Sequence, residues 1–406
     1  MAVRDLSKPL NPAELKIDLL CRGIRIDKKT ARSLEDVSPM VHAHPATGNG
    51  FEMVIPAKRR SLWVHAPLLE GAAEPAPYRL VQDGRTYCLV DDAAEALSYE
   101  VSIPTRPIWY DQLTASGIPM HSVALLQGTC LSVDVGDRCQ FWSPVHPLNC
   151  KFCIAGRLPE QQEKTVEDVV ETALAAREQS GISLLHFNAG YQGEGGLRKV
   201  FPYVEAVKRK SGLLVGIQFA PEKDLSLYEE VRKLGADHIS FCFEFYNRDY
   251  FQRYVPGKAE VLGQGAFFEA IEYCARRMGK GAVSGQVIAG VEPVEDTLRA
   301  IDYLASIGAV PLVCVFRPMP GTEMEKNPAP RFDDMVRVFR HVYETCRTHH
   351  LPVGIAPNIH MSYSLGPEDT FHLSSNTAAD RLYKRWIEAL RHIMRPYFAR
   401  RMKPKE

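Results

Sequence analysis

The sequence predicts an α/β protein: a (β/α) barrel of TIM type, complete or partial, behind a small N-terminal α+β module. Three observations lead there. From Pro107 onward, short apolar runs of strand character alternate with segments whose apolar residues recur at helical spacing, and repeated βα units with short loops imply parallel strands. Residues 1–105 lack that alternation and read as a separate module. The chain's 406 residues, 45% hydrophobic and 24% charged, suffice for a barrel-sized domain and a smaller one. Lys plus Arg and Asp plus Glu both number 49, so no global field favours nucleic acid or an anionic membrane. No apolar run reaches a membrane span, the first residues MAVRDLSKPL have no apolar targeting core, and ten scattered cysteines do not resemble a secreted disulfide framework. A cytoplasmic protein is expected.

Within residues 1–105, Asn11, Pro12 and Glu14 supply an N-cap, a first-turn proline and a capping carboxylate for a short helix carrying Leu15, Ile17, Leu19 and Leu20, with Gly23 as its stop. Strands follow at Phe51–Ile55, Leu62–His65 and Tyr78–Val90, the last folded at Asp83-Gly84. The stretch holding Gly48, Gly50, Gly71 and several prolines reads as loop. This module is expected to pack against the main domain or to cover its substrate.

Residues 106–380 carry the barrel pattern, beginning with a strand over Ala124–Val135. Thr165 caps a helix with Val166, Val169, Val170, Leu174 and Ala175 on one stripe, and Gly181 stops it. Strands are expected at Leu184–Asn188, Leu213–Phe219, His238–Phe243, Ala282–Ile288, Val310–Phe316 and Val353–Pro357. The helices between them cover Leu197–Lys210, Leu225–Leu234, Phe267–Met278, Val294–Ile307 and Arg331–His349. In such barrels the chemistry lies on loops at the C-terminal strand ends. From Arg381 to residue 406, nine Lys/Arg stand against two Glu, with Leu382, Trp386, Leu390 and Ile393 at helical spacing. That tail reads as a closing helix with a solvated basic face, docking to a partner or anionic lipid being the lesser option.

The chemistry-bearing stretch is RCQFWSPVHPLNCKFCIAG, Arg138 to Gly156, directly after the first barrel strand. Cys150 and Cys153 form a C-x2-C pair, and Cys139 precedes Cys150 by ten intervening residues in which Pro144 and Pro147 suggest an ordered loop. Three thiolates suit zinc or an iron–sulfur cluster. A structural zinc site uses four protein ligands, whereas a [4Fe–4S] cluster on three cysteines leaves one iron open.

Phe152 stands just before Cys153, as the aromatic does in radical S-adenosylmethionine (SAM) enzymes, and this chain resembles that family. The resemblance implies a [4Fe–4S] cluster on Cys139, Cys150 and Cys153, with SAM on the open iron. The family spacing is C-x3-C-x2-C, so the ten-residue first interval makes Cys139 the departure. Further stretches are similar to the branch that includes biotin synthase and ThiH-type tyrosine lyases. Gly190, Gln192, Gly193 and Glu194, in AGYQGEGG, resemble the glycine-rich stretch that receives the SAM amino group. Glu244, in FEFYN followed by Pro256-Gly257-Lys258, resembles the acidic residue beside SAM. Ile288 and Gly290, in GQVIAGVEP, resemble the adenine motif, and Arg317–Thr322 resembles the stretch after the sixth strand of biotin synthase. Residues 106–325 are also similar to a bacterial radical SAM family found beside a nitrilase, which supports the class and gives no reaction.

Strand parity adds an expectation that does not depend on family. If Glu244 faces the barrel axis, Cys242 and Ser240 share its side; His186, Asn188 and Gly190 share a face, as do Gly216 and Gln218. An ordinary barrel lumen is aliphatic, so this one reads as a polar chamber for a small substrate. The resemblance implies hydrogen-atom abstraction from a small molecule and a flavodoxin- or ferredoxin-type electron donor. Two alternatives stay open: sulfur insertion of the biotin or lipoyl type with a second cluster, and a non-catalytic zinc-stapled barrel. Cys130, Cys242 and Cys314 are too scattered for a second cluster, so one is expected. Cys21, Cys88, Cys274 and Cys346 read as ordinary thiols, and His349, His350 and His360 as ordinary histidines.

Overall fold

The computed structural model describes residues 8–404 except 27, 38–40, 45–47, 59, 69–75, 95–96, 144–147 and 155–163. Pro144, Pro147, Gly71 and Gly156 lie outside the described residues, as does the start of the N-terminal stretch.

The N-terminal module begins with α1 (Pro12–Arg22), whose capping box forms as its sequence predicts: Asn11 Oδ1 accepts from Ala13 and Glu14 N–H, and Glu14 accepts from Asn11 N–H. Then come β1 (Ile24–Ile26), α2 (Lys28–Val37), β2 (Val41–His44), β3 (Gly48–Ile55), β4 (Leu62–Pro67), β5 (Tyr78–Asp83), β6 (Thr86–Asp91) and β7 (Ser98–Val101). They make two small sheets, β2–β3–β4 and β1–β5–β6–β7, joined by the Val54–Ser102 bridge. β5 and β6 pair around Gly84 at φ 60°, as Asp83-Gly84 predicts.

The second part runs α3 (Met120–Val123), β8 (Leu125–Gln127), β9 (Cys130–Asp134), α4 (Val166–Ser180), β10 (Leu184–Asn188), α5 (Phe201–Ser211), β11 (Leu214–Gln218), α6 (Ser226–Leu234), β12 (His238–Glu244), α7 (Arg248–Tyr254), α8 (Gln264–Met278), β13 (Val283–Ala289), α9 (Val294–Ser306), β14 (Val310–Val315), α10 (Phe332–Thr348) and α11 (Ala378–Arg401). β8 to β14 lie in chain order in one seven-stranded sheet, parallel except for β8. Each helix buries an apolar stripe on the outer face, such as Val204 and Val207 of α5 and Ala300, Ile301 and Leu304 of α9.

The sheet is a partial barrel, because β14 and β8 do not pair and the segment 357–364 crosses between them. At one end Thr129, just before β9, donates from its N–H to His360 O at 3.0 Å and from its hydroxyl to Asn358 O at 2.8 Å. At the other, Ser364 bridges Cys314 of β14. A flat sheet would hold β9 and β14 about 24 Å apart, five spacings of roughly 4.8 Å. The crossing segment nevertheless reaches from Thr129 beside β9 to Cys314 of β14 between His360 and Ser364, four residues on, so the sheet curls.

Four expectations are corrected. No strand forms at Val353–Pro357: Gly354 at φ 64° and Asn358 at φ 49° take left-handed turns that an extended strand excludes. Ala124–Val135 is a hairpin of β8 and β9, turned at Gly128 (φ 66°), where a Cβ would lie 2.1 Å from His360 O. The closing helix α11 forms, but Leu382 and Ile393 are 70% and 67% exposed while Tyr383 and Ile387 are buried. Its orientation follows Asp380, which accepts from Tyr343 Oη at 3.0 Å and Arg347 Nη1 at 2.8 Å. The stretch Leu197–Lys210 also divides, with a 3-10 turn over Gly196–Val200 before α5.

The N-terminal module seals the gap. Lys16 of α1, fully buried, donates to Met361 O at 2.7 Å and to the Asp369 carboxylate at 2.8 Å. Glu52 of β3 accepts from Ser362 Oγ at 2.6 Å, and His65 N–H of β4 donates to Ser362 O at 2.9 Å. Truncating one partner of a buried ion pair leaves the other charge uncompensated. Lys16→Ala is therefore expected to destabilise the protein by about 3–5 kcal/mol, read as a lowered urea midpoint; an unchanged midpoint would mean that α1 does not clamp the crossing segment.

Candidate metal centre and the chamber beneath it

The cysteine loop leaves the C-terminal end of β9 and is held by the loop after β10. Val135 N–H donates to Asn188 O, and the Gln192 amide clamps Asp137, accepting from its N–H at 2.8 Å and donating to its carbonyl at 2.6 Å. Gln140 N–H donates to Tyr191 O at 2.9 Å, Tyr191 N–H donates to Cys139 Sγ at 3.3 Å, and Phe141 stacks on Tyr191 with centroids 4.4 Å apart. Gly190 is required by this approach: a Cβ there would lie 2.4 Å from Cys139 Cβ and 2.9 Å from its sulfur.

The ten-residue interval is drawn together at a neck. Ser143 N–H donates to Asn149 Oδ1 at 2.8 Å, and Asn149 Nδ2 donates to Ser143 O at 2.7 Å, so Cys150 returns toward Cys139. A turn then closes with Cys153 N–H on Cys150 O at 3.0 Å. The three cysteines share one electrostatic neighbourhood. Burial pushes the Cys150 thiol well above its ordinary pKa, Lys258 opposes that, and Cys153, Glu244 and Cys139 add to it. Among the described residues no group of three or more His, Cys, Asp or Glu is arranged to hold a single metal ion.

Glu244 ends β12 in an unusual backbone. Its φ is 65°, Phe245 N–H donates to Phe243 O at 2.7 Å around it, and the pairing of β12 with β13 slips between Cys242 and Glu244. Such a γ-turn at a non-glycine residue is strained, and strain of this kind gathers at functional sites. The Glu244 carboxylate accepts from Lys258 Nζ at 2.7 Å, which also donates to Cys242 O. Burial opposes the Lys258 charge, but Glu244 and the Cys150 and Cys242 thiols outweigh it and raise its pKa. Lys258 opens a π-helical turn, and the preceding Gly257 donates to Leu148 O of the cysteine loop at 3.1 Å. Lys258 is the group sequence reasoning passed over; its only signal was the Pro256-Gly257-Lys258 string.

The other expected residues divide. Phe152 is buried and packs edge-on against Phe245. Gly193, at φ 83°, lies over Gln140. Glu194 is exposed and pairs with Lys223 at 3.1 Å, away from the cysteines. Beneath it the buried Glu222, which no sequence pattern signalled, accepts from Gly195 and Leu197 N–H at 2.7 Å each. Ile288 faces inward near the end of β13, and Gly290 at φ 97° packs on Pro330. Glu292 accepts from Asn247 N–H at 2.9 Å, tying the loops after β12 and β13 together, and burial raises its pKa to about 7.

Below this rim the inner strand faces are polar, as parity predicts. Asn188 Nδ2 donates to Ser132 Oγ and its Oδ1 bonds His186 Nδ1, both at 2.9 Å. Ser284 Oγ bonds His238 Nε2 at 3.0 Å and donates to Ser240 Oγ at 2.9 Å. Cys242 Sγ donates to Gln286 Oε1 at 3.2 Å, and Gln286 Nε2 donates to Cys314 Sγ at 3.0 Å, so Cys242 and Cys314 both turn inward. Burial lowers the pKa of His186 to about 4 and of His238 to about 3, keeping both neutral. Of the outlying histidines, His360 Nδ1 accepts from Arg60, and Cys21, Cys274 and Cys346 are buried thiols.

No protein-family model matches the chain. Over 117 residues it is 28% identical to the bacteriochlorophyllide c C-7(1)-hydroxylase of Chlorobaculum limnaeum, a match covering 29% of each protein. Among solved structures it is similar to HydG, a maturase of the [FeFe]-hydrogenase, with a TM-score of 0.43 and 16% identity over 54% of this chain and 48% of that one. It is also similar to a radical SAM methyltransferase from Sphaerobacter thermophilus, with a TM-score of 0.40 and 12% identity over 66% of this chain and 75% of that one. Radical SAM enzymes are thus among the structures this fold resembles.

The buried histidines set a pH dependence. Their folded pKa values lie below the unfolded value of about 6.5, so their stabilisation is present above that pH and is lost as pH falls through 4. Urea stability should fall from pH 6.5 to pH 4, and His186→Gln should reduce the slope by about one proton. An unchanged slope would mean that His186 titrates normally.

Proposed function

We propose that the chain is a radical SAM enzyme that abstracts hydrogen from a small molecule. The observation that supports this reading is the Cys139, Cys150 and Cys153 loop at the C-terminal mouth of a partial (β/α) barrel, with Cys139 seated against the bare Cα of Gly190 and both Cys139 and Cys153 acting electrostatically on Cys150. A [4Fe–4S] cluster held by Cys139, Cys150 and Cys153 would supply the electron for reductive cleavage of bound SAM, the step from which hydrogen abstraction follows. The chain's own residues hold and shield that chemistry. Cys139, Cys150 and Cys153 are the ligands, and Phe152 backs the C-x2-C turn against Phe245. Lys258 offers a buried positive charge to the thiolates. Gly190 and Gly193 keep the loop after β10 low over the seat, while Gln192 acts behind it by clamping Asp137. Glu244 is aimed at the mouth by its γ-turn, and Ile288 and Gly290 lie at the end of the adjacent strand β13 as adenine neighbours. Glu194 is the least well placed of the SAM contacts, being turned to Lys223. A flavodoxin- or ferredoxin-type donor would supply the electron.

Anaerobic purification should yield about four irons and four sulfides per chain, and SAM with dithionite should then give 5′-deoxyadenosine. Cys150→Ala should abolish both; so should Gly190→Ala, whose Cβ would lie 2.4 Å from that of Cys139. A zinc-loaded, iron-free protein of full function would leave the zinc-stapled barrel.

A single cluster is the reading here, against the sulfur-insertion alternative, which needs a second. Cys242 and Cys314 are each bonded to Gln286, and Cys130 lies across the chamber beside Tyr363. The variant with Cys139, Cys150 and Cys153 all changed to Ala should keep essentially no iron after reconstitution. A stable residual signal lost on Cys242→Ala would instead establish a second cluster and favour sulfur insertion.

A further inference from the structure

In β10 and at Cys242 of β12 the inner face of the sheet is more accessible than the face its helices cover, while Ser240 and Ser284 beside them are buried. In β10 the inward His186 and Asn188 are half-buried while Leu185 and Phe187 are buried; in β12 Cys242 is half-buried between buried Phe241 and Phe243. Tyr363 is enclosed by protein on the crossing segment yet also keeps partial exposure. Burial and the neighbouring Cys314, Cys130 and Cys242 thiols push its phenol well above the ordinary pKa. Partial exposure deep inside a protein means that these side chains line a space.

That space carries almost no charge. β10 to β14 contain no Lys, Arg, Asp or Glu except Glu244, which is paired with Lys258 at the rim, and Asp134 ends β9 beside the cysteine loop. Arg317, just beyond β14, donates to His65 O at 2.6 Å and so faces the N-terminal module. A carboxylate or phosphate entering here would lose its hydration and meet only cations already engaged, Lys258 paired with Glu244 and Arg317 bonded to His65 O, whereas amides, hydroxyls and thiols can bond an uncharged polar molecule.

The fourth wall is not barrel strand. It is the crossing segment, and residues 359–362 are each bonded to the N-terminal module: Ile359 O and His360 to Arg60, Met361 O to Lys16, and Ser362 to Glu52 and His65. Tyr363 is the next residue.

We propose that the N-terminal module builds the substrate chamber by clamping this segment, that Tyr363 is its specificity-determining wall residue, and that the chamber takes a small uncharged hydrogen-bonding molecule. This rests on the radical SAM reading for what happens to that molecule, not for the chamber itself. The test is anaerobic labelling of the holoenzyme with neutral methyl methanethiosulfonate and its anionic 2-sulfonatoethyl analogue, followed by peptide mass mapping at Cys242 and Cys314. With each rate normalised to free cysteine, the neutral reagent should modify Cys242 at least about tenfold faster than the anionic one. Tyr363→Ala, or Tyr363→Leu if that variant is insoluble, should raise the neutral rate several-fold. Ser362→Ala should do the same by loosening the clamp, and Tyr363→Phe should leave the rate near that of the parent. Equal normalised rates for the two reagents would overturn the uncharged ligand, and rates unmoved by either Tyr363 truncation would remove Tyr363 from the wall. The same preparations, given SAM and dithionite, judge the radical reading separately: a parent that forms no 5′-deoxyadenosine refutes that reading while the labelling still decides the chamber.

Discussion

A parallel sheet that curls but does not close must bury its open side, and the rest of this molecule follows from that constraint. The six parallel strands β9 to β14 stop short of a ring, so unpaired backbone and a polar inner face are left between β14 and β8. Natural sheets cover such edges. Here the cover is the segment 357–364, which touches Thr129 beside β9 and Cys314 of β14. A bare segment spanning that gap would be weakly held, and the buried Lys16 and Glu52 with the half-buried Arg60 of the N-terminal module fix it. The module is therefore part of the barrel's wall and not an ornament on it.

The open design also accounts for the division of labour inside. Closed eight-stranded barrels fill their lumen with branched aliphatic side chains. This one is lined by Asn188, Ser240, Ser284 and Gln286, with their hydrogen bonds paired along and across strands. Fully paired networks of this kind are stable in low dielectric where isolated polar groups are not. Charge is confined to the mouth, where Glu244, Lys258 and the three cysteines meet. The strained turn at Glu244 and the side-chain-free approach of Gly190 to Cys139 are both features that packing alone does not call for.

What the sequence made legible was local chemistry. The Asn11–Glu14 capping box, the Thr165 cap, the Gly84 hairpin and the Gly181 stop form as their residues dictate, because each is decided within four positions of chain. Strand parity held for Ser240 and Cys242, which face the axis. It does not govern Glu244, whose direction is set by the γ-turn after the register slip. What escaped was decided at long range. Val353–Pro357 has strand composition, yet Gly354 and Asn358 turn it so that its continuation can reach Thr129. The buried stripe of α11 is set by Asp380 meeting Tyr343 and Arg347, a contact no periodicity reports. Glu222 and Tyr363 stand in no motif, and only the fold brings them to the site.

The central claim is that Cys139, Cys150 and Cys153 together hold one iron–sulfur cluster with an open iron at the barrel mouth. Anomalous scattering at the iron edge from anaerobically grown crystals measures this most directly. The account predicts one compact group of four iron sites, three of them bonded to those sulfurs and the fourth to no protein ligand. A single zinc peak with a fourth protein ligand, or iron seated instead among Cys130, Cys242 and Cys314, would contradict it.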